Sequence, residues 1–108
     1  VLRDPRLAKA IYAMHQRPGV NWKVEDLARE AGLSRSLFAE RFLAATGTTP
    51  ARYLTELRMR LAVQYITHEG QALETVAFSL GYQSLAAFSR AFKRITGQPP
   101  GALRATAR

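Results

Sequence analysis

Residues 27–34 read LAREAGLS and residues 76–83 read VAFSLGYQ, and each stretch sets an alanine four positions ahead of a glycine: Ala28 with Gly32, and Ala77 with Gly81. The pairs stand 49 positions apart (81 − 32), and the match extends outward from them. Leu27-Ala28 corresponds to Val76-Ala77 at that shift. Beyond the turn the shift becomes 50, pairing Phe38 with Phe88, Phe42 with Phe92, Thr46-Gly47 with Thr96-Gly97 and Pro50 with Pro100. One extra residue therefore falls in the second turn or at the start of the helix after it. The chain is built from two copies of one unit.

The residue types say what the unit is. Where two helices cross steeply through a turn of three or four residues, the first must offer a small side chain for the second to lean on, and Ala28 and Ala77 do so. The chain must then reverse sharply, in a backbone conformation that glycine alone adopts cheaply, at Gly32 and Gly81. The second helix needs an apolar stripe facing inward, which Phe38/Phe42 and Phe88/Phe92 provide. One Ala-x-x-x-Gly is a weak signal. Two copies, each followed by an aromatic stripe and a closing glycine at matched distances, are a strong one. A helical-hairpin repeat that binds another protein shares this spacing but does not account for the charge described below.

Every periodic segment has helical spacing and none sustains a period of two. Asp4 before Pro5 reads as an N-cap followed by proline at the first helical position, with Leu7, Ile11 and Met14 along one face and a stop at Pro18-Gly19. A short helix spans about residues 24–31, and Ser34 caps the next, about 35–46, with Phe38, Phe42 and Ala45 inward and Gly47 at its end. Pro50 opens a helix of about twenty residues with Leu54, Leu57, Leu61 and Tyr65 as its stripe. The pattern then repeats with helices about 74–80 and 85–96, and Pro99-Pro100 starts a last short one. The fold class is all-α: seven helices, with a first helix-turn-helix subdomain over residues 1–49, a connecting helix over 50–69 and a second subdomain over 70–108.

Composition bounds what such a fold does. At 108 residues with 47% hydrophobic side chains, one packed domain is expected, or two small ones that share a core. No apolar run approaches the roughly 18 residues of a membrane span, and residues 1–10 lack the apolar core of a secretory leader, so a soluble chain is expected. The absence of cysteine excludes disulfide frameworks and cysteine-based zinc sites, and fits a reducing compartment. Sixteen Lys and Arg against eight Asp and Glu give a net charge of +8. The pI is about 10.9, above the value of about 9 that marks a nucleic-acid binder. The last acid is Glu74, which leaves Arg90, Lys93, Arg94, Arg104 and Arg108 unopposed along the chain.

Helical periodicity places the outward faces. Opposite Phe38, Phe42 and Ala45 lie Ser36, Ala39, Glu40 and Leu43, with Arg35 and Arg41 on the flanks. Opposite Phe88, Phe92 and Ile95 lie Ala86, Ser89, Arg90, Lys93 and Arg94. In a helix-turn-helix the outward face of the second helix enters the major groove, its N-terminal residues nearest the base edges. Arg90 is suited to a bidentate contact with guanine O6 and N7, worth about 1–3 kcal/mol of discrimination. Lys93 and Arg94, further along, suit phosphate. Ala39 and Ala86 can touch a thymine methyl. Glu40 either accepts from cytosine N4 or pairs with Arg41 or another neighbouring base, and Leu43 is expected to pack against the neighbouring helix. If the two reading helices lie about 34 Å apart, one copy of the chain spans successive major-groove segments, about 10–10.5 base pairs apart. A smaller separation demands DNA bending, at a few kcal/mol.

At this point the chain resembles the DNA-binding domain of the AraC/XylS family of bacterial transcription regulators. The most specific part is GYQSLAAFSRAFKRITGQPP at residues 81–100, and the lead-in DPRLAKAIYAMHQRPGVNWKVEDLAREAGLSRSLFAERF at residues 4–42 resembles the subgroup with a cupin-like N-terminal domain. The resemblance implies seven helices, promoter DNA as partner, and activation of transcription through contact with RNA polymerase in the cytoplasm, at the nucleoid. It carries base-contacting roles onto Ser36, Ala39, Glu40, Leu85, Ala86, Ser89 and Arg90, of which Leu85 is new to the outward faces. A monomer is expected for the domain alone.

Catalysis, metal binding and a cofactor are not expected. His15 and His68 stand apart near the ends of two helices, where His68 complements a helix dipole, and Glu25, Asp26 and Glu30 follow the acid placement of helix first turns and surfaces. A basic helical protein-interaction module is the remaining alternative.

Overall fold

The computed structural model describes residues 4–106, with side chains up to Leu103. Arg108 and the side chain of Arg104 lie outside the described residues. Seven helices follow in order: α1 (Pro5–Gln16), α2 (Val24–Ala31), α3 (Arg35–Thr46), α4 (Pro50–Thr67), α5 (Leu73–Ser79), α6 (Leu85–Thr96) and α7 (Pro100–Thr106). No strand occurs among the described residues. The expected all-α class and seven helices are therefore found. The chain divides between Leu54 and Thr55, inside α4, into two compact units.

In the first unit, the Asp4 carboxylate accepts from the Arg6 backbone N–H at 2.9 Å and starts α1 at Pro5. Leu7, Ala10 and Met14 of α1 are buried where it packs on α2 and α3. Ile11, expected inward, is half-buried, and the small Ala10 holds the enclosed place. The Trp22 indole N–H donates to the Arg17 carbonyl at 2.8 Å and ties down the connection to α2. Leu27, Ala28 and Ala31 of α2 and Phe38 and Phe42 of α3 complete the interior. Tyr53 meets Phe42 edge-on at 5.6 Å and its hydroxyl lies 2.9 Å from His15 Nε2, so the polar tip is satisfied where the ring is packed.

The second unit has its own core of Met59, Ala62, Ile66, Val76, Ala77, Leu80, Phe88, Ala91 and Phe92. The expected α4 stripe needs correction here: Leu54 and Leu57 are buried, but Leu61 and Tyr65 pack at the margin while Met59, Ala62 and Ile66 are enclosed. A core-facing helix buries an arc of about 100° or more, and both rows fall within it. The larger side chains mark the stripe visible in the sequence, whereas the fold encloses Ala62 and Ile66. The Arg58 guanidinium lies over the Tyr82 ring at 5.5 Å, and Tyr82 meets Phe88 at 5.6 Å. Burial disfavours the Arg58 charge, and Tyr82 offsets part of that cost.

The repeat extends to individual hydrogen bonds. Gly32 N–H donates to Arg29 O at 3.1 Å and Leu33 N–H to Ala28 O at 3.0 Å; Gly81 N–H donates to Phe78 O at 3.1 Å and Tyr82 N–H to Ala77 O at 3.0 Å. Both glycines have positive φ, 69° and 89°, as a sharp helix exit requires. Ser34 Oγ accepts from Leu37 N–H at 3.2 Å, and Ser84 Oγ from Ala87 N–H at 3.0 Å, capping α3 and α6. At the far ends Thr46 Oγ1 and Thr96 Oγ1 each donate to the carbonyl of Phe42 or Phe92 at 2.8 Å. Leu33 and Tyr82 match at a shift of 49 and the two cap serines at 50, so the extra residue is Gln83, inside the second turn.

Candidate nucleic-acid interface

Each unit is a helix-turn-helix whose second helix turns one face inward and one to solvent. In α3, Phe38 and Phe42 are fully buried with ring centroids 5.6 Å apart; in α6, Phe88 and Phe92 repeat the pair at 5.7 Å. Ala28 and Ala77, beneath the crossings, are 3% and 0% exposed. A longer side chain at either would push the second helix off the first.

On the outward side of α3, Ser36 and Glu40 are exposed and Ala39 is half-buried. Ala45, expected inward, is exposed. Periodicity gives the side of a helix but not how far along it the neighbouring elements reach; the equivalent Ile95 of α6 does pack on its core. Leu43, expected to pack against a neighbouring helix, is 52% exposed. Arg35 and Arg41 flank this face, and both are engaged: Arg35 Nε lies 2.8 Å from Glu25 Oε1, and Arg41 Nη1 lies 3.8 Å from Asp4 Oδ2. Among the described residues Glu40 has no ion pair with Arg41 or another base, so the intramolecular alternative is not found there.

On the outward side of α6, Ala86, Arg90, Lys93 and Arg94 are exposed and Ser89 is half-buried. Leu85 is half-buried and packs against the second core, so only part of it faces solvent. Among the described residues no carboxylate pairs with Arg90, Lys93 or Arg94. Superposing the repeat at its shift of 50 sets Arg90 against Glu40, Lys93 against Leu43 and Arg94 against Ala44. The same scaffold therefore presents three exposed cations from one copy, and an acid and two apolar residues from the other.

Sequence reasoning missed the partners of the flanking arginines. The sequence marks Asp4 as a cap and Glu25 as first-turn charge. Both roles are correct, but a carboxylate has a second oxygen, and the fold brings it to a residue 37 positions away (41 − 4) or in the next helix. No period in the sequence carries that signal. No group of three or more metal-ligating side chains occurs among the described residues, and no helix among them is long and apolar enough to cross a membrane.

Two short helices crossing through a glycine turn, with a basic outward second helix, define the helix-turn-helix class of DNA-binding domain. Residues 27–106 match the family described as Helix-turn-helix domain, and the chain belongs to this family, as a DNA-binding domain of AraC type rather than an enzyme. It is 44% identical over 100 residues to a putative AraC-like transcription regulator of Streptomyces lividans, covering 93% of this chain and 33% of that protein. It is 41% identical over 104 residues to the RCS-specific HTH-type transcriptional activator RclR of Escherichia coli K12, covering 96% of this chain and 37% of that protein. The chain thus spans about a third of the length of these curated relatives. Among solved structures, the DNA-binding domain of AdpA, a global transcriptional factor, in complex with a target DNA is similar with a TM-score of 0.88 and 30% identity, over 95% of this chain and 93% of that one.

Proposed function

We propose that this domain binds double-stranded promoter DNA sequence-specifically, laying α3 and α6 in successive major-groove segments of one duplex. The observation that carries the reading is the exposed trio Arg90, Lys93 and Arg94, paired with no carboxylate among the described residues, on the outward face of a helix-turn-helix second helix. Arg90, nearest of the three to the α6 N-terminus, reads guanine; Lys93 and Arg94 hold phosphate; Ala86 and Ser89 line the base edges, with Leu85 at the rim. From α3, Ser36, Ala39 and Glu40 face the bases, and Arg35 and Arg41 serve the backbone. The functional division is a subdomain over residues 1–49, a connecting helix over 50–69 and a subdomain over 70–108.

The domain acts as a monomer on its site and regulates transcription in the bacterial cytoplasm at the nucleoid, activating through contact with RNA polymerase, with a cupin-like domain preceding it in the parent protein. Support comes from the activator named among its relatives and from a structural neighbour bound to its target DNA.

The alternative is a helical module that binds a protein through the exposed Leu43 or Phe78. Salt separates the two. Binding that rests on several phosphate contacts falls by orders of magnitude between about 50 and 200 mM salt, whereas an apolar interface barely responds. Titration of duplex DNA across that range supports the first reading if affinity collapses, and contradicts it if affinity holds or no duplex binds at low salt.

A further inference from the structure

The two copies of the unit treat their cations in opposite ways. In the first, Arg35 lies 2.8 Å from Glu25 and Arg41 lies 3.8 Å from Asp4, each pair joining α3 to a different part of the unit. In the second, Arg90, Lys93 and Arg94 have no such partner among the described residues. The contrast lies in the sequence of the repeat. The acid survives in both copies, since Glu25 matches Glu74 at the shift of 49, but Arg35 matches Leu85 and Arg41 matches Ala91 at the shift of 50. The first copy therefore has acids opposed to its groove-flanking arginines, and the second has an acid with no arginine at the matching positions.

We propose that Glu25 and Asp4 gate the first reading helix: its flanking arginines are held by the protein's own carboxylates and reach DNA phosphate only by exchanging partners. The second unit is then the constitutive anchor and the first a conditional reader, engaged once the duplex is held. This rests on reading α3 and α6 as groove helices.

Physical chemistry sets the size of the gate. The side chains of Arg35 and Glu25 are 69% and 52% exposed, so the pair is a weak surface ion pair, weak enough for phosphate to break. Breaking it leaves a carboxylate beside the duplex, which takes up a cation and cancels one released from the phosphates. Removing the carboxylate therefore strengthens binding and also steepens its salt dependence, two readouts that a purely structural role for Glu25 does not produce together. Asp4 caps α1 through Oδ1 while Oδ2 faces Arg41, so Asp4→Asn keeps a good capping group and removes the charge.

The test measures binding of a random-sequence duplex by the whole chain at several salt concentrations, with Glu74→Gln as the matched control. That control removes one charge from the same place in the other copy, with no arginine to release. Glu25→Gln is expected to tighten binding about two- to five-fold more than Glu74→Gln does. Its slope of log K against log salt should steepen by up to about one. In an Arg35→Gln background, which breaks the pair without touching α2, the advantage of Glu25→Gln over Glu74→Gln should vanish. Asp4→Asn should behave likewise against Arg41→Gln. Equal gains from Glu25→Gln and Glu74→Gln, or weaker binding by Glu25→Gln, overturn the gate while salt-dependent binding upholds the functional reading. Absence of salt-dependent binding in every variant overturns both.

Discussion

Glu40 and Arg90 stand at the same place in two copies of one helical unit, six residues beyond the capping serines (40 − 34 and 90 − 84), both exposed and of opposite charge. The capping bonds from Ser34 and Ser84, the buried phenylalanine pairs and the threonine bonds at the helix ends are the same around them. At these two positions the copies differ in the charge they present outward. Reversing the sign at the first copy with Glu40→Arg replaces a carboxylate that faces the bases by a cation, and is expected to raise affinity for all duplexes and to steepen the salt dependence. Binding titrations at several salt concentrations check this, and unchanged affinity and slope would place residue 40 away from the duplex.

Arg90 and Lys93 should separate by kind of loss rather than by size. Arg90→Ala is expected to cost about 1–3 kcal/mol on the preferred duplex and much less on random sequence. Lys93→Ala should weaken both evenly and lower the salt slope by about one. Competition binding with target and random duplexes checks both. Equal losses on the two duplexes for Arg90→Ala would remove its role as a reader.

The turn glycines make a stability prediction. An added Cβ at Gly32 meets nothing within 4 Å, so the cost of Gly32→Ala is the positive φ of 69° alone, about 1–2 kcal/mol. Gly81→Val adds a branched side chain at φ 89° and should cost about 1–3 kcal/mol through the strained turn. Gly32→Asn should cost less than Gly32→Ala, because asparagine tolerates this conformation better. Thermal and denaturant melts check the order, and an unchanged melt for Gly81→Val would contradict the turn.

Much of this geometry is legible in the residues because it is local. Asp4-Pro5, Ser34 and Ser84 each satisfy donors within three residues, and Gly32 and Gly81 act at a single backbone position. The duplicated spacing then identifies the same unit twice. What resisted reading is non-local. The approach of Asp4 to Arg41, of Glu25 to Arg35, of His15 to Tyr53 and of Arg58 to Tyr82 depends on how helices cross, which no short-range pattern encodes. The exposure of Ala45 and the shift of the α4 stripe to Ala62 and Ile66 have the same origin: periodicity fixes direction, while the neighbouring elements decide depth.

Asp26 provides a pH readout confined to the first unit. The Lys23 backbone N–H, at 3.0 Å, and then the Arg29 guanidinium hold its carboxyl below the usual carboxylate range. A group depressed in the folded state contributes stability above its unfolded pKa and loses it as pH falls through the folded one. Asp26→Asn should therefore lower the Tm at neutral pH, and the gap to the unsubstituted protein should close on acidification through the carboxylate range. A gap independent of pH would contradict the assignment.

Selection of bound duplexes from a random pool tests the central claim most directly, namely that two units of one chain read one DNA site. The expected result is a motif of two conserved blocks about 10–10.5 base pairs apart, centre to centre, with the guanine-containing block lost on Arg90→Ala and the other retained. A motif with a single block, or no enrichment over the starting pool, would contradict it.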